Sequence, residues 1–493
     1  MSGAIEDHVD LFIGGQSVPG ARNDRRPVLN PATNAPLATT AVGSADDAHH
    51  AMEVADRAYR ESGWAADDGA RRAKALYRLA RSLEEQSEAF ALLETLNMGK
   101  TLKESRGDIG YVVRTLEYVA GLADKIEGET IPVPGSRLDY TLREPLGVTV
   151  HIAPWNYPLL LAVRSVAPAL AAGNAVVLKP ASLTPLTALK FARLAKESGV
   201  PDGILNVVVG SGSEVGEALV VDPRCRSVSF TGSADVGRRI AALAAERIIP
   251  LTLELGGKSP VLVCPDADLD RAAKGIAFGI FGNAGQMCWA GSRLIVAESV
   301  RDELVRKVSA LAEGYRLGPG VEATSDMGPL VSSDQVERVL GFVQDARDQG
   351  ARVVVGGARS DDPALSAGNF VRPTVVADVP VESRVVRDEV FGPVLSVLSF
   401  GSIDEGVRIA NDTRYGLFAA LWTKDLATGL SMARQLEAGM VSVNEAPNTF
   451  PQTPFTGYKE SGVGFEQGRD AIYAYTRRKN VMINLGGGKP RKA

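Results

Sequence analysis

Between Val148 and Leu255, short apolar runs alternate with stretches of helical period, and this restricts the fold more than any other feature of the chain. Val148–Ile152, Ala175–Leu178, Leu205–Val209, Val228–Phe230 and Leu251–Leu255 read as strands. Leu159–Ala172, Glu214–Val220 and Ala234–Ala245 read as helices between them, and Thr184–Pro185 as the N-cap and first-turn proline of another. Strands alternating with helices form βαβ units and a parallel sheet. Ligands of such sheets bind at the carboxyl ends of strands. The residues to watch are therefore Pro154–Asn156, Lys179–Ser182, Gly210–Ser213, Thr231–Ser233 and Glu254–Gly257.

The rest of the chain fits around this core. Ala45–Tyr59 and Arg71–Glu85 carry apolar residues at helical spacing. Gly128–Gly147, with Pro132, Pro134 and Gly135, reads as an extended hairpin projecting toward another subunit. A second α/β region runs from Glu254 to about Lys459, where Gly439–Asn444 precedes an irregular stretch, Glu445–Ser461. A length of 493 residues at 45% hydrophobic composition implies two or three domains. Net charge is −5 and no basic block occurs, which argues against nucleic acid as a partner. The tail Lys489, Pro490, Arg491, Lys492 reads as a solvated terminus. Three cysteines argue for a reducing compartment. The acidic start (Glu6, Asp7, Asp10) is unlike a signal peptide, and no apolar run reaches the ~18 residues of a membrane span. The expected location is cytoplasmic.

Several motifs fail on inspection. Gly99–Lys100–Thr101 resembles the end of a phosphate loop, but position 94 is Glu. Gly210, Gly212 and Gly216 miss the dinucleotide fingerprint by one residue, and Gly232 to Gly237 lacks its middle glycine. His8, His49, His50 and His151 form no metal-ligand spacing, and no G-x-S-x-G elbow is present.

Five segments carry the chemistry: Pro154–Pro158, Leu253–Pro260, Phe281–Cys288, Glu389–Pro393 and Pro454–Gly462. Together they resemble the aldehyde dehydrogenase superfamily, over about Leu11 to Val481. The 34-residue step from Glu254 to Cys288 is similar to that family's base-to-nucleophile spacing. Hydride transfer from an aldehyde needs a tetrahedral centre, and a thiolate supplies one. Cys288 is the candidate nucleophile. The Asn156 amide and the Cys288 N–H are candidate oxyanion donors, each worth ~3 kcal/mol. Glu254 is the candidate base that activates water against the thioester. Blander readings stand beside these. Asn156 could serve only as a turn residue and Glu254 in a buried salt bridge. Cys264 reads as core, while Cys225 competes as nucleophile because Arg224 and Arg226 flank it.

The resemblance implies NAD, NADP or both as cofactor. It assigns the adenosine ribose to Lys179. Ser182 stands where NAD-specific members often carry glutamate, which leaves room for a 2′-phosphate. Gly232 and Ser233 are expected at the pyrophosphate. Glu389 is expected at the nicotinamide ribose and Phe391 by the ring, with Pro154, Trp155, Gly212 and Leu255 also lining the cofactor. Substrate-lining candidates are Tyr157, Leu160, Arg164, Met287, Trp289 and Phe455. They suit an aromatic or medium-chain aldehyde. Arg164 alternatively suggests a semialdehyde with an anionic tail, although Gly282 stands where such members have a second arginine. Thr456 and Phe465 depart from the commoner Gly and Arg. CoA-acylating and non-catalytic members are the remaining alternatives. The implied fold is α/β. A Rossmann-like cofactor domain spans 1–123 and 144–253, and an α/β catalytic domain 254–459. A β-rich oligomerisation arm of 124–143 and 460–493 implies a homodimer or homotetramer.

Overall fold

The computed structural model describes residues 6–66 and 68–486; the basic tail lies outside the described residues. The alternating segment forms the middle of an eight-stranded sheet. Its parallel strands lie in the order Leu251–Glu254, Cys225–Thr231, Val148–Ile152, Ala175–Lys179, Leu205–Val207. Leu11–Ile13 and Gln16–Val18 extend one side antiparallel, and Gly462–Val463 closes the other. Chain order reverses between Val148–Ile152 and Cys225–Thr231. Sheets of this kind open a crevice at such a switch point, and the loops Pro154–Asn156 and Gly232–Ser233 leave from it.

Helices cover the sheet because their apolar stripes match its faces. Pro158–Ala171 starts with proline in its first turn, where the missing N–H costs nothing. The helix after Ala175–Lys179 runs Leu186–Glu197 and has no side-chain cap. Thr184 does not cap it as expected, because its hydroxyl donates to the Trp155 carbonyl at 3.3 Å. The next helix begins earlier than expected, as a π turn over Gly212–Gly216 capped by Ser211. Gly99–Lys100–Thr101 is a helix junction: Gly99 ends Ser87–Met98 at a φ of 102°, and Thr101 caps Leu102–Ala120. His151 lies inside the sheet between Thr149 and Ser165, and burial pulls it down to about 3, so it stays neutral.

A second, seven-stranded sheet has the order Arg352–Val355, Thr374–Ala377, Val394–Phe400, Arg293–Ala297, Pro260–Val263, Phe418–Trp422, Met440–Val443. It is parallel except at the Arg352–Val355 edge. Each sheet has its own apolar core. Thr130–Ile131, Arg137–Pro145 and Thr476–Asn484 make a separate three-stranded antiparallel sheet. Among the described residues, no helix is long and apolar enough to cross a membrane, and no His/Cys/Asp/Glu group could hold a metal.

Candidate active site

The helix Leu269–Phe281 ends at Gly282, and a tight turn over Gly282–Gly285 carries the chain toward Cys288. Two glycines let neighbouring loops close on this segment. A Cβ on Gly257 would fall 2.2 Å from the Cys288 carbonyl oxygen, and one on Gly285 would fall 2.1 Å from that of Gly392. The loops after Glu254, before Cys288 and after Glu389 therefore pack backbone to backbone.

Cys288 is half-buried and lines a cavity of about 1160 Å³. Tyr157, Leu160, Arg164, Met287, Trp289 and Phe455 line the same cavity. Burial pushes the Cys288 thiol up to about 12, against the pull of Arg164. Cys225 is also pushed up to about 12 by burial, so proton affinity does not separate the two. Access does: Cys225 is fully buried in the first core, and Arg224 is engaged with Asp222. The pull of Arg226 is outweighed by burial, so the flanking arginines do not activate it. Cys264 is core, its thiol 3.7 Å from the Met432 sulfur.

Glu254 ends its strand 2% exposed, and neither carboxylate oxygen has a partner. Leu253 and Leu255 are buried too, because both faces of this strand are covered. Alternation here does not separate core from surface. Burial holds the Glu254 carboxyl well above its usual range, opposed by Arg164 and reinforced by Glu466. A salt bridge does not explain Glu254, since no cation touches it. The Asn156 amide donates to the Gln286 carbonyl at 2.8 Å. Its second amide hydrogen remains for a ligand. Among the described residues the Cys288 N–H meets no acceptor.

Arg164 is buried, and its Nε donates to Glu466, whose other oxygen accepts from Ser229 at 3.1 Å. A blander reading of Arg164 from the sequence is a helix-surface ion pair; the structure corrects it, because the pair is interior. The guanidinium also lies 4.2 Å over the Phe455 ring, with Nη2 unpartnered. Sequence reasoning missed Glu466. It also missed a polar strip of the cavity, where Gln467 donates to the Tyr111 hydroxyl at 2.7 Å and Thr449 donates to Gln467 at 3.0 Å. Glu466 lies 302 positions from Arg164 and Gln467 lies 356 from Tyr111, so no local pattern links them.

On the other side of Cys288, the Glu389 carboxylate accepts the Gly257 N–H at 3.0 Å. Burial pushes Glu389 up to about 7, opposed by that N–H and by Lys258. Trp155 and Phe391 meet edge to face at 5.1 Å. Pro154 is half-buried at the same strand end, and Leu255 packs where a Cβ on Gly237 would come within 2.5 Å of it. Lys179 is 5% exposed, with only the Pro180 carbonyl as partner among the described residues, and burial pulls it down to about 8. The Ser182 hydroxyl donates to the Gly210 carbonyl at 2.8 Å. Gly212 is exposed and faces open space. Gly232 and Ser233 lead into the helix Ala234–Arg247, which Ser233 caps.

Comparison with known proteins agrees with this geometry. The profile of the "Aldehyde dehydrogenase family" matches residues 18–481. The chain is 41% identical to hydroxyisobutyraldehyde dehydrogenase of Mycolicibacterium austroafricanum, over 96% of this chain and 94% of that protein. It is 40% identical to betaine aldehyde dehydrogenase of Bacillus subtilis, over 96% of this chain and 97% of the relative. Among solved structures, betaine aldehyde dehydrogenase from Staphylococcus aureus in complex with NAD+ superposes with a TM-score of 0.96 at 36% identity, over 99% of this chain and 97% of that one. A mutant aldehyde dehydrogenase from Bacillus cereus gives 0.95 at 41% identity, with 97% of each chain covered. A thiol, a partnerless carboxylate and an amide brought together on this scaffold, with a family match over nearly the whole length, lead to one conclusion: the chain belongs to the aldehyde dehydrogenase family.

Proposed function

We propose that the chain oxidises an aldehyde to a carboxylic acid with NAD, accepting NADP as well, through a thioester on Cys288. The observation that carries this is the half-buried thiol on a large cavity beside a buried carboxylate with no partner. Once ionised, the Cys288 sulfur attacks the carbonyl carbon. The resulting oxyanion is met by the free hydrogen of the Asn156 amide and by the Cys288 N–H. A nicotinamide held in the cleft would supply the hydride acceptor, and the thiohemiacetal on Cys288 would then become a thioester. Glu254 then takes a proton from water, which cleaves the thioester and restores the thiol. A base in this position favours hydrolysis over transfer to CoA.

The residues present fit the dinucleotide. Lys179, buried beside a single carbonyl, has donor capacity left for the adenosine ribose. The opening of Ala234–Arg247 at Gly232 and Ser233 suits the pyrophosphate. Glu389 would hold the nicotinamide ribose, and Pro154, Trp155, Gly212, Leu255 and Phe391 would line the cleft. The NAD+ in the Staphylococcus aureus relative supports this reading. Ser182 places no carboxylate near Lys179, which supports NADP acceptance.

For the substrate, Trp289, Phe455, Tyr157, Leu160 and Met287 favour an uncharged aromatic or medium-chain aldehyde. Arg164 is engaged with Glu466, which weakens the semialdehyde alternative. Its guanidinium over Phe455 also disfavours a cationic aldehyde such as betaine aldehyde. The first sheet with its helices would form the cofactor domain and the second the catalytic domain. The three-stranded sheet, with exposed Leu138, Leu142, Met482 and Ile483, would be the arm of a homodimer or homotetramer. The test is a panel of benzaldehyde, hexanal, succinic semialdehyde and betaine aldehyde with each cofactor. Acid and NAD(P)H should form without CoA, and Cys288→Ala should abolish both. Undiminished turnover in that variant would refute the mechanism.

A further inference from the structure

Asn283, Ala284 and Gly285 sit consecutively at left-handed φ values of 48°, 51° and 73°. For the two non-glycine residues this backbone is strained, and it persists only where the surroundings fix it. What fixes it comes from the opposite layer. The Glu104 carboxylate, on helix Leu102–Ala120, accepts the Asn283 N–H at 2.7 Å with one oxygen. Its other oxygen accepts the Thr101 N–H at 2.8 Å and the Thr101 hydroxyl at 2.7 Å. One carboxylate thus ties the cap of its own helix to the nucleophile loop.

Asn283 carries the constraint onward. Its amide donates to the Asn156 carbonyl at 3.0 Å and to the Gln286 carbonyl at 3.3 Å. That Gln286 carbonyl also receives the Asn156 amide at 2.8 Å. Gln286 is itself held by the Val331 N–H at 2.9 Å on its side-chain oxygen. Both oxyanion donors, the Asn156 amide and the N–H of Cys288 two residues beyond Gln286, are therefore referenced to Glu104.

We propose that Glu104 and Asn283 are a positioning pair that sets the spacing between the Asn156 amide and the Cys288 N–H, so that the oxyanion receives both. The proposal rests on the thioester reading above. Neither residue needs to touch the reacting atoms. A pair that served only the helix cap and the turn would affect how much protein folds and leave the rate per intact site unchanged.

The experiment compares Glu104→Ala, Glu104→Gln and Asn283→Gly with wild type. Active sites are counted by stoichiometric alkylation of Cys288, and kcat per counted site, KM for NAD and thermal midpoint are measured. A displacement of a donor by ~1 Å costs about 100-fold in rate, so kcat per site should fall by about that much in Glu104→Ala and Asn283→Gly, with KM for NAD unchanged. Glu104→Gln keeps an acceptor for the Asn283 N–H and should recover most of the rate. Glycine at 283 tolerates the left-handed backbone, so that variant decides the matter if Glu104→Ala does not fold. Rates per site within threefold of wild type in Asn283→Gly overturn the proposal. So does a Glu104→Gln no better than Glu104→Ala. A wild type that forms no NAD(P)H with any aldehyde sinks the thioester reading and this role with it; an active wild type with unaffected variants sinks this role alone.

Discussion

On the proposed mechanism, replacing Asn156 by alanine removes the side-chain half of the oxyanion site and little else. The residue is 2% exposed, and its amide makes one internal bond, to the Gln286 carbonyl at 2.8 Å. That carbonyl keeps the Asn283 amide at 3.3 Å, so it is not orphaned. The Asn156 main-chain carbonyl, which holds Asn283, survives the substitution. The net stability loss should therefore stay near ~1 kcal/mol, the worth of one ordinary hydrogen bond. The catalytic loss is larger, because a missing oxyanion donor costs ~3–4 kcal/mol, or 10²–10³ in rate. Stopped-flow absorbance of NAD(P)H in a single turnover should show the first hydride-transfer phase slowed by about that factor. The thermal midpoint should move by only a few degrees. Asn156→Asp, of the same shape but without the donor, should slow it comparably. A first phase within fivefold of wild type in both variants would refute the assignment of Asn156.

Two further outcomes follow from the same geometry. Glu254→Gln should give a burst of about one NAD(P)H per site and then near-arrest, because the thioester forms but water is not activated; steady-state turnover equal to wild type would exclude Glu254 as the base. Burial holds the wild-type carboxyl protonated above its usual range, so its base form is gained as pH rises. Wild-type kcat should accordingly still be rising at pH values above the usual carboxylate range wherever deacylation limits, and the Gln variant should lose that rise. Ser182→Glu should place a carboxylate beside Lys179 and lower kcat/KM for NADP at least tenfold while sparing NAD, an effect of ~1.4 kcal/mol; equal losses for both cofactors would remove Ser182 from cofactor selection.

The parallel sheet was legible because its strands are short, apolar and separated by helical periods, and a strand end is where such a sheet binds ligands. Cys288, Glu254 and Asn156 could be singled out because each sits in a segment that resembles a family motif, in the family's order. Legibility stopped where burial and distance took over. The runs around Glu254 could not show that its strand has a neighbour on its outer edge, since that neighbour is Gly462–Val463 two hundred residues later. Arg224 and Arg226 suggested an activated Cys225, but adjacency in sequence says nothing about where a guanidinium points, and Arg224 turns to Asp222. Arg164 carried no local sign of Glu466, 302 positions away. The link from Glu104 to Asn283 spans 179 positions, and only the Thr101-x-x-Glu104 capping pattern marks its near end.

The late strand has a consequence for when the protein becomes competent. Leu253 and Glu254 pair with Val463 and Gly462, and Ser461 bonds the Leu255 N–H, the Gly256 carbonyl and the Gly416 N–H. Glu466, a few residues further on, neutralises the arginine at the cavity wall. A nascent chain that has emerged only as far as residue 460 carries Cys288 and Glu254 but lacks the strand that pairs with Leu253 and Glu254. On the proposed mechanism the site is thus completed only when Ser461–Glu466 has joined it, and a cut just upstream of Ser461 should lower turnover without removing any group proposed to do chemistry.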